Sequence, residues 1–216
     1  MIKKQNFVKK LFQSPKLPYL CLFETKVMKE FHQDIESCID VLRRGGLILY
    51  PTDTIWGIGC DATNAAAVRR VYELKRRADS KALIVLLDSE EHLDHYVVDV
   101  PEMAYELMGV AVEPLTLIYE GAYNLAPELL GENDSVGIRV PREEFCHQLC
   151  ARFGRPIVST SANVSGTPSP ATFGQVSDEI KAGVDHVVAY RQDDVQPHAA
   201  SNIILLRGDG TFKIIR

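Results

Sequence analysis

Leu83-Ile84-Val85-Leu86-Leu87 is apolar at five consecutive positions. A strand with no polar side must be covered on both faces, which calls for layers above and below a sheet. Further short apolar runs at 47–50, 115–119, 136–140 and 203–206 are separated by segments of helical period. Phe31, Ile35, Ile39 and Leu42 define a helix over 30–44, and Gly45-Gly46 stop it. Asn64 can cap a second helix with Val68, Val71, Tyr72 and Lys75 on one side. Segments 89–96 and 101–108 read as helices, as do 142–153 (Phe145, Leu149 and Phe153 at spacing four) and 172–181. Ile157-Val158 begin a strand that dissolves into Ser159-Thr160-Ser161-Ala162-Asn163. A strand is expected over 184–190, and Gly208-Asp209-Gly210 should join 203–206 to 212–215 as a hairpin. Strands interleaved with helices and closed by a hairpin give an α/β fold with a twisted, mixed sheet and flanking helices.

The 216 residues, 46% hydrophobic and 25% charged, suit one globular domain with or without a tail. No apolar run reaches membrane-spanning length. Five cysteines without CxxC spacing signal neither a zinc ribbon nor a disulfide framework, so a cytoplasmic setting is the default. The net charge of −5 conceals an asymmetry: residues 1–27 hold six lysines and one acid, while the remainder carries 18 basic and 28 acidic residues. Residues 1–27 are read as a basic extension, either a disordered leader or residues upstream of a natural start at Met28. Pro15, Pro18 and scattered lysines break any signal-peptide core. Residues 28–216 are read as the folded domain.

Four polar clusters fall at the ends of the apolar runs. Pro51-Thr52-Asp53-Thr54-Ile55-Trp56-Gly57-Ile58-Gly59 is read as a loop whose hydroxyls and free N–H groups suit a small polar ligand. Lys75-Arg76-Arg77 stands at a helix C-terminus, where the dipole favours cations, and equally suits phosphate or carboxylate capture. Arg139, between Ile138 and Val140, points opposite to them, into a polar cavity or toward an ion-pair partner. Ser159 to Gly166 pack four hydroxyls and an amide after a strand, without the GxSxG pattern of a hydrolase nucleophile. No Walker A string, no GxGxxG and no HExxH occurs.

Together these segments resemble the YrdC-like family, the threonylcarbamoyl-adenylate synthases of tRNA modification. The resemblance covers about residues 30–216 in the short, single-domain form. It rests on PTDTIWGIG, KRRADSKALIVLL, SVGIRVP, STSANVSGTPSP and ASNIILL with a terminal IIR, in that order. Trp56 stands where the family usually has Tyr, and Val112-Glu113-Pro114, Ala200-Ser201-Asn202 and Ala82-Leu83 also depart from its pattern. The resemblance implies a fold built around a polar, cationic cavity and a nucleotidyltransferase that makes L-threonylcarbamoyl-AMP and pyrophosphate from L-threonine, bicarbonate and ATP. The product would pass to the tRNA threonylcarbamoyl-transfer machinery acting on adenosine 37. Thr54, Arg139, Ser159 and Ser201 would form the threonine shell. Arg77, Lys81, Ser135, Ser161, Ser169 and Arg216 would form the ATP shell. Lys75 and Asn163 complete the family's KxR and SxN pairs, with Lys75, Arg77, Ser161 and Asn163 in the catalytic role. Trp56 would wall the threonine methyl or the base, and Mg²⁺ would travel with the ATP phosphates. The alternative is an RNA-binding module of the same fold acting in translation or ribosome maturation. The acidic balance of residues 28–216 argues for no more than weak tRNA contact.

Overall fold

The structure, a computed structural model, describes residues 31–77, 83–196, 199–208 and 211–216. Lys81, the segment 1–27 and the turn residues 209–210 lie outside them. Nine strands form one mixed sheet: β1 Ile48–Tyr50, β2 Gly57–Gly59, β3 Ile84–Leu86, β4 Leu115–Tyr119, β5 Val136–Arg139, β6 Ile157–Ser161, β7 His186–Val187, β8 Asn202–Leu206 and β9 Phe212–Ile214. Their order is β7-β1-β2-β6-β3-β5-β4-β8-β9. The pairs β1/β7, β3/β5 and β4/β8 are parallel and the other five antiparallel. The all-apolar run takes the central place its composition demands, with β3 between β6 and β5.

Helix α1 covers residues 31–43. Its apolar stripe, Phe31, Ile35, Ile39 and Leu42, is buried with Phe145, Leu149 and Phe153 on one face of the sheet. Gly45 at φ 75° ends it, a conformation only glycine takes cheaply. Helix α2, Ala65–Lys75, begins at Asn64, whose Oδ1 accepts the Ala67 N–H at 3.1 Å. It lies in the core of the opposite face with Val68, Val71 and Tyr72. Helices α3 Glu102–Val110, α4 Glu144–Phe153 and α5 Asp178–Gly183 complete the layers. Cys38, Cys60, Cys146 and Cys150 are free and buried, and burial pushes all four thiols up, away from reactivity.

Four sequence expectations are corrected. The last three residues of the Pro51–Gly59 stretch are strand β2, not loop. Its glycines conceal it, yet Gly59 is where a Cβ would meet Tyr50 at 2.8 Å and the Val158 carbonyl at 2.9 Å. Strand β6 continues through Ser161, because β2 supplies ladder partners for Thr160 and Ser161. The helix expected over 172–181 is a 3₁₀ turn, Phe173–Gln175, followed by α5. Ser177 breaks the run by capping the Ile180 N–H from an extended backbone. The strand expected over 184–190 pairs only at His186–Val187. The helix expected over 89–96 is present, as a 3₁₀ helix over Glu90–His95.

Candidate active site

One cavity of about 230 Å³ gathers the polar clusters of the sequence. Thr54, Ile55, Trp56 and Gly57 come from the β1–β2 connection, Arg77 from beyond α2, and Arg139 from the end of β5. Ser159, Thr160 and Ser161 come from β6, Ser169 from the loop after it, Ser201 from the entry to β8, and Arg216 from the chain end. Three guanidinium groups and a ring of hydroxyls thus face one space.

The hydroxyls are oriented from behind. Thr52 donates to the Ile55 carbonyl at 2.8 Å and accepts the Thr54 N–H at 3.0 Å. Its one proton is then spent, so in the 2.8 Å contact between the two hydroxyls Thr54 is the donor. Thr54 is left to offer lone pairs, which suit an N–H of a ligand. Ser201 is fixed by Thr116, 2.8 Å away and buried, from the neighbouring strand β4. Trp56 is buried, its ring 4.8 Å from Phe173 and tilted by 50°, so an apolar wall stands opposite the polar shell.

Arg139 is buried against Asp53, its Nη2 3.2 Å from Asp53 Oδ1. The contact is an ion pair without the alignment of a hydrogen bond. Arg139 Nε and Asp53 Oδ1 are both buried with no hydrogen-bond partner among the described residues. Burial raises the Asp53 carboxyl above its ordinary range, and the Arg139 charge only partly offsets this. A buried donor without a partner in a cavity wall fits a ligand carboxylate, which would supply the missing acceptor.

The α2 terminus divides its three cations among three tasks. Arg76 takes a left-handed conformation, φ 48°, which turns the chain between its neighbours. Arg76 itself points outward to Glu179 at 2.7 Å. Arg77 enters the cavity wall half-buried, and burial lowers its pKa. Lys75 is buried and does not line the cavity. Its Nζ donates to the Ser161 carbonyl, to the Asn163 carbonyl at 2.8 Å and to Asn163 Oδ1 at 3.5 Å. Three donors meet three acceptors, so Lys75 pins the end of β6. Asn163 turns its amide to the carbonyls of Val164 at 3.2 Å and Thr167 at 2.6 Å and lines a neighbouring concavity instead. Ser169 belongs to both spaces. Ser135 is outside the cavity lining: it lies just before β5, at the opposite end from Arg139.

Arg216 is held although it is the last residue. Its backbone exchanges hydrogen bonds with Ile203 at 3.0 and 3.3 Å, and its Nε donates to the Ser201 carbonyl at 3.1 Å. Arg216→Gln keeps the backbone pairing and removes the charge. It should leave the melting temperature within a degree or two and, on the expectation from the resemblance that Arg216 belongs to an ATP shell, raise the KM for ATP by about tenfold, the scale of one charged contact. Steady-state kinetics against ATP check this, and an unchanged KM would remove Arg216 from the site.

Sequence reasoning passed over Asp53 and Thr116 as site residues. Thr116 carried a readable signal, as the one small polar side chain in an otherwise apolar strand. Asp53 did not, because its partner is 86 positions away in the chain.

The Sua5/YciO/YrdC family model, described as telomere recombination, matches residues 40–216. A threonylcarbamoyl-AMP synthase of Hahella chejuensis is 35% identical over 153 residues, 70% of this chain and 83% of that protein. One of Stutzerimonas stutzeri is 38% identical over 136 residues, 62% and 73% of the two chains. Among solved structures, P. abyssi Sua5 complexed with L-threonine superposes with a TM-score of 0.74 at 28% identity, over 84% of this chain and 53% of that one. This chain thus spans about half the length of that Sua5. E. coli YciO shares the fold with a TM-score of 0.73 at 24% identity, over 84% and 87% of the two chains. The match across 40–216, the common sheet and the relatives above 30% identity place the chain in the Sua5/YciO/YrdC family.

Proposed function

We propose that this protein is a threonylcarbamoyl-AMP synthase that uses the described cavity to join L-threonine, bicarbonate and ATP. The observation that carries the reading is Arg139, a buried guanidinium with an unmatched Nε in a hydroxyl-lined wall, with Arg77 and Arg216 on the same space. Arg139 takes the threonine carboxylate. Thr54 accepts from the amino nitrogen, and Trp56 walls the methyl group. The amine and bicarbonate condense to a carbamate with loss of water. A carbamate oxygen then bonds to the α-phosphorus of ATP as the bond to the pyrophosphate oxygen breaks. Negative charge accumulates on the leaving group, so positioned cations rather than a covalent nucleophile supply the catalysis. Arg77 and Arg216 meet that charge, and the Ser159–Ser161 edge orients the reacting groups.

The cavity is smaller than the ~300–1,000 Å³ of drug-sized ligand sites. Threonine fits whole, while the nucleoside end of ATP extends past Ser169 into the adjoining concavity of about 640 Å³. Magnesium belongs to the substrate as the ATP complex. Among the described residues no cluster of three or more His, Cys, Asp or Glu side chains could hold it, whereas phosphates and water can. It would neutralise part of the phosphate charge. The product passes to the tRNA threonylcarbamoyl-transfer machinery, in keeping with the acidic balance of residues 28–216, which disfavours a general RNA-backbone binder. No described helix is long and apolar enough to cross a membrane.

Pyrophosphate release measured with and without L-threonine tests the reading. Release that requires threonine is expected, and amino-acid-independent ATP hydrolysis as the sole activity would overturn it. Arg77→Lys should lower turnover or ATP affinity roughly 10–100-fold although the charge is kept, because the planar fork is lost. Wild-type kinetics in that variant would reduce Arg77 to a solvated helix end.

A further inference from the structure

A second groove of about 640 Å³ lies behind the wall formed by Asp53. Its carboxylates are Asp53, Asp88, Glu90, Glu113 and Glu144. The one arginine among them, Arg142, is committed to the α3 C-terminus, donating to the carbonyls of Met108 at 2.7 Å and Ala111 at 2.6 Å. The groove is therefore acidic. It also has an apolar rim, with Val112 at 88% exposure and Tyr105 at 43%, and Val110 beside it at 76%. An anion-binding enzyme does not need this combination for its substrates, and nucleic acid would be repelled by it.

The chain itself holds the complement. Residues 1–27 carry six lysines against one acid and interleave them with Phe7, Val8, Leu11 and Phe12. The first described residue lies close by: the Phe31 ring packs edge-on against Phe145 at 5.5 Å, and Phe145 is the chain neighbour of Glu144, which lines the groove. Thirty residues span far more than the groove even when only partly extended. We propose that the lysine-rich segment 1–27 docks in this groove of its own chain, its lysines on Glu90, Glu113 and Glu144 and its apolar side chains over Val110 and Val112.

The test uses the full chain. Carbodiimide, which joins a lysine amine directly to a carboxylate, should link lysines between Lys3 and Lys16 to Glu90, Glu113 or Glu144 within a monomer. Trypsin cleavage after Lys10 and Lys16 should be about tenfold slower than in the full-length triple variant Glu90→Lys, Glu113→Lys, Glu144→Lys. That factor is the sum of three exposed ion pairs read through the open fraction. High salt should erase the difference. These surface changes lie outside the cavity, so retained activity certifies a folded variant. Equal cleavage rates, links only to other carboxylates, or links only between two copies would each overturn the proposal. Equal rates would leave the groove to a separate basic partner.

Discussion

Arg139→Met is expected to cut kcat/KM for threonine by roughly 100-fold or more while the KM for ATP changes little. Losing two charge-assisted hydrogen bonds to a carboxylate costs about 1.5–3 kcal/mol each, which sets that scale. The variant also strands Asp53, whose only ion pair among the described residues is with Arg139 at 3.2 Å. Breaking a buried pair from one side costs about 3–5 kcal/mol, so the apo protein should melt well below wild type. The pH dependence has a definite sign. Burial already raises the Asp53 carboxyl above its ordinary value, so the folded protein keeps that proton over a range where the unfolded chain has lost it. Stability from this residue therefore declines as pH rises through the range. Without Arg139 the range widens, and the melting temperature of the variant should drop more steeply between acid and neutral pH. Adding Asp53→Asn should restore most of the stability and none of the activity. Restored activity in the double variant would mean that Arg139 serves the fold and not the ligand.

Lys75→Met should rank next, for a different reason. The side chain is nearly isosteric, but it leaves the Ser161 and Asn163 carbonyls and Asn163 Oδ1 without their shared donor. Leaving buried acceptors unsatisfied costs about 1–3 kcal/mol each, and the end of β6 that carries Ser161 loses its anchor. Turnover should fall about 30–100-fold. Burial, reinforced by the Arg77 charge, brings the Lys75 ammonium down to about 8. Only the protonated form has three hydrogens for three acceptors. Wild-type turnover should therefore decline as pH rises through about 8, and Lys75→Met should lack that limb. Pyrophosphate release across pH reads both effects. A variant with wild-type turnover and an unchanged alkaline limb would show that Lys75 does not position the site.

Much of the fold was legible because burial leaves marks in the order of residues. The unbroken apolarity of β3, the four-residue rhythm of α1 and the Asn64 cap each follow from one local rule. What was hidden depended on distant partners. Gly57-Ile58-Gly59 lacks β-forming composition and is a strand because β1 and β6 flank it. Thr160-Ser161 looked like the dissolving end of a strand because their ladder partners come from that same unseen β2. Ser177 split an expected helix through a cap that competes with its continuation. The site was legible as residue types and less so as roles. Thr54, Arg77, Arg139, Ser159, Ser161, Ser169, Ser201 and Arg216 line one cavity, whereas Lys75 and Asn163 stand behind it, Ser135 is outside its lining and Lys81 is outside the described residues. No spacing rule tells a lysine that touches ligand from one that pins a loop. The left-handed turn at Arg76 makes that distinction.

The most direct measurement is to identify the product. The protein is incubated with ATP, isotopically labelled bicarbonate and L-threonine, and the acyl-nucleotide is analysed by mass spectrometry. The account predicts threonylcarbamoyl-AMP carrying the label in its carbamoyl carbon, with one pyrophosphate released per molecule formed and none of either when threonine or bicarbonate is omitted. An unlabelled aminoacyl-AMP, or pyrophosphate released without any acyl-nucleotide, would contradict it.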